Sequence, residues 1–407
     1  VRALVAETIP LDDVRQLIPF LDARQPTVWM RKGDGMAGIG EALRLEFSGP
    51  NRIQDAAAAW KELVAASTVT DPIEGTGTGL VAFGAFSFSP TSGQTSVLIV
   101  PEAIVGRRDG RSWLTRIRTS DGGPTPPAPR PSTFGSEYRL TFLPGALSKD
   151  GFRAAVRNAT ERIGAGELSK VVLARDLTAH LPLESDVRRA LVELALGYPD
   201  CWTYAVDGFV GSSPETLVSV SRGTVTARVL AGTGSRGIDA NSDSAASASL
   251  RQSAKDRGEH EFAARSVIDA LRPHSKGLIA SDPFTLKLPN LWHLATDVTG
   301  TLSDGSSSLD LVAALHPTAA VAGSPTADAV SVIDALEPFD RGRYAGPVGW
   351  IDQNGDGEWA IALRGAQLAA DGTITAYAGC GIVADSDPER ELAESTMKFR
   401  PIIEAFG

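Results

Sequence analysis

The sequence predicts a mixed α/β chain of the α+β kind, and two sets of observations predict it. Hairpin-type turn signals recur at Arg108-Asp109-Gly110-Arg111, at Ser221-Arg222-Gly223 and at Asp352-Gln353-Asn354-Gly355-Asp356-Gly357. Apolar residues at helical spacing mark Ala56 to Ala66, the set Phe152, Val156, Ala159 and Ile163, and the stretch Thr326 to Leu336. The chain has 407 residues, 43% hydrophobic and 22% charged, which is ample for a large core. A net charge of −10 argues against nucleic acid as a partner, and an anionic ligand would need a local positive patch or a metal. Two cysteines, Cys201 and Cys380, make neither a disulfide framework nor a thiolate metal site; they read as small buried thiols of a reducing, cytoplasmic compartment. The opening Val1-Arg2-Ala3-Leu4 lacks a signal pattern, a start on valine suggests a trimmed terminus, and apolar runs are only strand-length, so no membrane span is expected.

In order, residues 1–118 read as an α/β lobe, with a helix over Ala56 to Ala66 and strands over Gly79 to Phe88 and Thr95 to Val100. The string Gly75-Thr76-Gly77-Thr78-Gly79 precedes a strand, whereas a phosphate-cradling loop follows one, so it reads as a turn. Thr119 to Phe134 carries five prolines and two glycines and reads as a long surface loop. The portion bearing chemistry runs over 148–407. Ser148 caps a helix that Gly164 or Gly166 ends. Lys170 to Arg175 is a strand by its β-branched content, and a lysine at its start is ordinarily a solvated edge residue. Phe209 to Val218 and Thr224 to Leu230 read as two strands of one antiparallel hairpin.

The second of these ends in Ala231-Gly232-Thr233-Gly234-Ser235-Arg236-Gly237, a literal G-x-G-x-x-G with Asp256 about twenty residues on. A dinucleotide site is disfavoured because the preceding strand is hairpin-paired and Ile238 to Ser249 reads as a polar loop. Arg251 to Leu271 reads as one long helix, and Leu291 to Thr296 as a strand holding His293. His316-Pro317-Thr318 ends a helix, and Ser324-Pro325 caps and starts the next. Asp352 to Gly357 resembles the opening of a calcium loop, but its twelfth position is Leu363 rather than glutamate, which leaves a hairpin turn. Trp359 to Leu363 delivers Arg364, a residue suited to gripping a carboxylate bidentately. Finally, a glycine-interrupted strand, Ala378 to Val383, runs into an acidic helix.

Glu391 and Glu394, three apart, share one face of that helix, and Lys398 follows on the same side. Asp256 and Glu259 repeat the spacing. Either pair alone reads as a solvated charged face; together they could converge on one hard cation such as magnesium.

These motifs together resemble the chorismate-utilising enzymes, the group of isochorismate, salicylate, anthranilate and aminodeoxychorismate synthases. The matching strings are Ser169 to Arg175, Gly211-Ser212-Ser213-Pro214-Glu215, Leu230-Ala231-Gly232-Thr233, Lys255 to His260, Leu291 to Leu294, His316-Pro317-Thr318, Leu336 to Arg341, Ala378 to Val383 and Glu391-x-x-Glu394. They run in family order over about residues 150–400. The resemblance implies one large domain spanning 1–407, with a mainly antiparallel two-sheet core flanked by helices. It implies magnesium held by Glu259 and Glu394, with Asp256 and Glu391 behind them, and chorismate lying on that metal. Gly232 and Thr233 would then touch the ring, Arg364, Gly379 and Lys398 would hold the carboxylates and enolpyruvyl arm, and His293 and Tyr344 would line the pocket.

Within the family the residues point to isochorismate formation, in which water adds at C2 and the C4 hydroxyl leaves. Lys170 fits the base, provided it is partly buried or near other positive charge, and Glu215 fits the acid, provided its pKa is raised toward neutrality. Anthranilate synthases carry glutamine where this chain has Lys170. The amine-installing enzymes show Gly-x-Pro-Lys where it has Gly323-Ser324-Pro325-Thr326. Ala320 and Val321 are apolar where salicylate and anthranilate enzymes tend to show threonine. Cys380 replaces a usual alanine, and Ala319 a usual proline. A salicylate synthase, adding pyruvate elimination, is the alternative; a nicotinamide-dependent oxidoreductase and a non-catalytic binding module are the readings from other classes. The resemblance further implies a cytoplasmic monomer without a glutaminase subunit, acting in menaquinone or siderophore synthesis.

Overall fold

The computed structural model describes residues 3–122, 124–288 and 291–407. Val1, Arg2 and Gly123 of the proline-rich stretch lie outside them. Among the described residues, thirteen strands form one sheet and ten form another. The pairing among them is antiparallel apart from residues 5–7, which run parallel to Thr68–Thr70. Residues 3–118 are woven into both sheets. Trp202–Val206 pairs with Thr27–Arg31 in the larger sheet, and Pro347–Asp352 pairs with Val81–Ala85 in the smaller.

Trp29 from the larger sheet and Phe83, Trp350 and Trp359 from the smaller are fully buried in one cluster. Buried indole N–H groups need acceptors. Those of Trp29 and Trp350 donate to Glu358 Oε2 at 3.0 and 3.1 Å, and Arg108 donates to the same oxygen at 3.0 Å. A second core lies on the outer side of the larger sheet, where Leu191 and Leu194 of the helix Arg188–Gly197 meet Phe399, Ile402 and Phe406 of the helix Pro388–Phe406. Burying that stripe leaves Glu391, Glu394 and Lys398 to another side of the C-terminal helix.

Most expected elements are present. Ser148 caps the helix Lys149–Gly164 by accepting the Gly151 N–H, and Phe152, Val156, Ala159 and Ile163 are buried. The hairpins close with Arg108 opposite Arg111, Ser221 opposite Thr224 and Ile351 opposite Gly357. Among the described residues no helix is long and apolar enough to cross a membrane.

Four local readings change. Phe209 to Val218 is not one strand: Phe209–Ser213 belongs to the larger sheet and Thr216–Ser221 to the smaller. The break falls at Pro214-Glu215, where proline has no N–H to give a ladder and the Glu215 N–H turns to Ser213 Oγ at 3.2 Å. The stretch read as a polar loop contains the helix Ala240–Gln252, started by a capping box between Asp239 and Ser242. It buries only Asp243 and Leu250, so it has no apolar stripe to betray it. The following helix consequently starts at Ala254, capped by Ser253. Ser324 pairs with Lys170 across a short strand instead of capping, and Pro325 takes the cap position without a side-chain bond.

Candidate active site

The G-x-G-x-x-G string is not a loop between strand and helix. Its first four residues, Gly232 to Ser235, end the strand Thr224–Ser235, which pairs along its length with Leu291–Leu302, and only Arg236 and Gly237 follow the strand. Register shifts between Ala231 and Thr233, where Gly232 sits at φ +79, a conformation L side chains rarely adopt. The bulge brings Thr233 Oγ1 within 3.2 Å of His293 Nδ1, which lies 3.3 Å from the Gly232 carbonyl.

This bulge forms one wall of a cavity of about 390 Å³. All thirteen residues singled out from the sequence line it: Lys170 and Glu215; Gly232, Thr233, His293, Tyr344, Arg364, Gly379 and Lys398; and the carboxylates Asp256, Glu259, Glu391 and Glu394. The glycine-interrupted strand Thr373–Ile382 supplies another wall. A Cβ on Gly381 would stand 2.8 Å from Lys170 Cε, so glycine is what lets the lysine stem pass.

Lys170 is not a solvated edge residue. The helix Ala254–Leu271 covers it, its side chain is 13% exposed, and Nζ lies 2.5 Å from Glu259 Oε1. Glu215, in the gap where the chain changes sheets, is 7% exposed. Burial pushes its carboxyl up to about 7, against the pull of Lys170, Arg364 and Lys398. Burial, helped by Arg364 and Lys398, drives His293 down to about 3, so its ring is neutral at physiological pH. Tyr344 stacks on Tyr377 at 5.3 Å, and burial holds its phenol up at about 12. Lys398 Nζ donates to the Gly379 carbonyl at 3.0 Å and to Glu394 Oε1 at 2.6 Å. Burial acts to raise both Glu391 and Glu394. Glu394 nonetheless ends below the ordinary range because Lys398 faces it, while Glu391, beside Glu394, stays raised.

No three histidine, cysteine or acidic side chains gather tightly enough among the described residues to chelate a metal by themselves. The donor set still fits magnesium, which takes one or two carboxylates and completes its shell with waters and substrate oxygens. Besides Glu215, four carboxylates line this cavity, and of these Glu259 and Glu394 each pair with an ammonium group, Lys170 and Lys398.

Sequence reasoning missed Pro214, Ser386 and Arg390, which also line the cavity. Ser386 hydrogen-bonds Glu391 and accepts the Val383 N–H at 3.2 Å. Both Ser386 and Arg390 flank the start of the acidic helix, where polar residues pass for solvated ones. It also missed what holds the Lys170 strand. Glu337 and Arg341 are buried together at 2.5 Å, with Glu337 accepting the Ala174 N–H and Arg341 donating to the Val172 and Val321 carbonyls.

Comparison with known proteins bears on the same residues. The family model described as "chorismate binding enzyme" matches residues 4–123 and 136–407. The isochorismate synthase DhbC of Bacillus subtilis is 39% identical over 288 residues, covering 67% of this chain and 71% of that protein. The isochorismate synthase EntC of Escherichia coli is 36% identical over 335 residues, covering 80% of this chain and 81% of that protein. Among solved structures, DhbC of Bacillus anthracis superimposes with a TM-score of 0.78 at 29% identity, covering 96% of this chain and 98% of that one. With a family model matching nearly its whole length, the chain belongs to the chorismate-binding enzymes.

Proposed function

We propose that this protein is an isochorismate synthase, which converts chorismate to isochorismate by adding water at C2 with loss of the C4 hydroxyl. The observation that carries the reading is the pairing, in one cavity, of a lysine and a buried glutamic acid that keeps its proton up to about pH 7. Lys170 takes the proton of the attacking water at Nζ. Glu215 gives its own to the departing hydroxyl, which leaves as water. Arg364 and Lys398 supply positive charge for the substrate's two carboxylates, and neutral His293 and Thr233 border the ring. Magnesium, held by Glu259 and Glu394 with Asp256 and Glu391 behind them, would supply Lewis-acid charge for the ring carboxylate. Both sheets contain strands from the N-terminal lobe and from the later portion, which supports treating the chain as one catalytic unit.

Incubating the protein with chorismate and magnesium, with and without EDTA, and separating the products tests the reading. Isochorismate alone, abolished by EDTA, is expected. Salicylate with pyruvate would move the protein to the lyase branch, and untouched chorismate would overturn the assignment. Lys170→Ala is expected to lower turnover by roughly 100- to 10,000-fold while chorismate still binds, as measured by calorimetry beside the product assay. Unchanged turnover would remove Lys170 from the mechanism.

A further inference from the structure

A second, much smaller cavity of about 20 Å³ lies behind Glu215. Glu215 and Ala320 line both cavities and so form the wall between them. The rear chamber is otherwise bordered by Thr318, Arg228 and Ser266, among others. Its volume suits a single water molecule. Thr318 Oγ1 is buried without a hydrogen-bond partner among the described residues, although the Thr318 carbonyl accepts from Val321 and Ala322. A buried hydroxyl left unpaired is costly, and a water bridging it to a second polar group removes that cost. Among the residues lining the chamber, Glu215 is the one carboxylic acid. Arg228 does not compete, because its guanidinium is held by Asp297 at 2.6 Å. Ser266, another residue lining the chamber, is exposed, so the chamber's wall reaches solvent.

We propose that this chamber is a rear proton path: a water held between the Thr318 hydroxyl and the Glu215 carboxyl returns a proton from solvent to Glu215 after each turnover, with Thr318 as its positioning residue. The inference rests on the reading of Glu215 as the acid. The proton balance closes. The attacking water leaves one proton on Lys170, Glu215 loses one to the departing water, Lys170 releases its proton to solvent, and solvent restores one to Glu215. No bond to carbon changes in this step. A rear path lets Glu215 reload while ligand still fills the front cavity.

Thr318→Val keeps the shape and removes the hydroxyl, and Thr318→Ser keeps the hydroxyl. At saturating chorismate and magnesium, Thr318→Val is expected to lower kcat about tenfold, with KM unchanged and a larger solvent deuterium isotope effect on kcat, while Thr318→Ser stays within about twofold of wild type. Wild-type kcat and isotope effect in Thr318→Val, or an equal fall in Thr318→Ser, would overturn the rear path. Glu215→Gln in the same assay separates the two failures. If Glu215→Gln is inactive and Thr318→Val normal, the path alone falls; if Glu215→Gln turns over normally, the acid assignment falls and takes the path with it.

Discussion

Glu215→Gln is expected to lower kcat by roughly 100- to 10,000-fold while making the protein more stable at pH 8. The two effects share one cause. Glutamine keeps the size of the side chain and an oxygen that can accept the Leu230 N–H, but it has no proton to give. In the wild-type protein burial raises the Glu215 pKa from 4.5 to about 7. The folded state therefore keeps this proton up to about pH 7, whereas the unfolded chain gives it up near 4.5. The unfolded state binds fewer protons between those values, so stability falls as pH rises through that window, and the loss is complete above it. A rise of that size corresponds to roughly 3 kcal/mol as an upper bound, all of it avoided by glutamine. Asp352 is also pushed up to about 7 by burial and loses stability over the same window. It does so equally in both proteins, so the difference between their urea melts at pH 5 and pH 8 isolates Glu215. The wild-type kcat should decline as pH passes 7, when the acid is no longer protonated. A variant that turns over normally would require another acid, and one less stable than wild type at pH 8 would mean the buried carboxylate carries no penalty.

The same residue shows where sequence and structure part. The motif Gly211 to Glu215 was legible as a string, but nothing local says that the chain changes sheets at Pro214, and that change is what buries the carboxyl. Lys170 is similar: a strand-start lysine has no local mark of burial, and its cover comes from a helix 89 residues away in sequence. The acidic pairs were legible because three-residue spacing fixes a common helix face. The repeated spacing suggested that the two pairs converge, but that they share one cavity is a tertiary fact, and the family resemblance added which two of them would hold the metal. The helix Ala240–Gln252 escaped because alanine and serine give it helical propensity without an apolar stripe. Thr318 was legible as part of a motif, but not its unpaired hydroxyl, since that is a property of its surroundings.

Arg341→Leu is expected to cost about 3–5 kcal/mol of folding stability, the largest loss foreseen for a single surface-preserving change outside the cavity. Glu337 and Arg341 side chains are each 2% exposed. The guanidinium donates to both Glu337 oxygens, at 2.5 and 2.8 Å, and to the Val321 and Val172 carbonyls at 3.0 and 2.7 Å. Glu337 Oε1 in turn takes the Ala174 N–H at 2.7 Å. Between its short pairings with Gly323-Ser324 and with Leu143-Pro144, this side of the strand Lys170–His180 has backbone groups at Val172 and Ala174 that the ion pair satisfies in place of a neighbouring strand. Leucine fills the volume but strands a buried carboxylate and two carbonyls. The double variant Glu337→Gln/Arg341→Leu removes the stranded charge and keeps an acceptor for Ala174, so it should recover part of the loss; a double variant no more stable than the single would show that the lost backbone bonds, rather than the unpaired charge, set the cost. Because the pair grips Val172 and Ala174, two and four residues from Lys170, the folded fraction of Arg341→Leu should also show reduced kcat. A loss under about 1 kcal/mol with unchanged kcat would show that the strand holds Lys170 without the pair, and that the buried charges are neutral passengers in the fold.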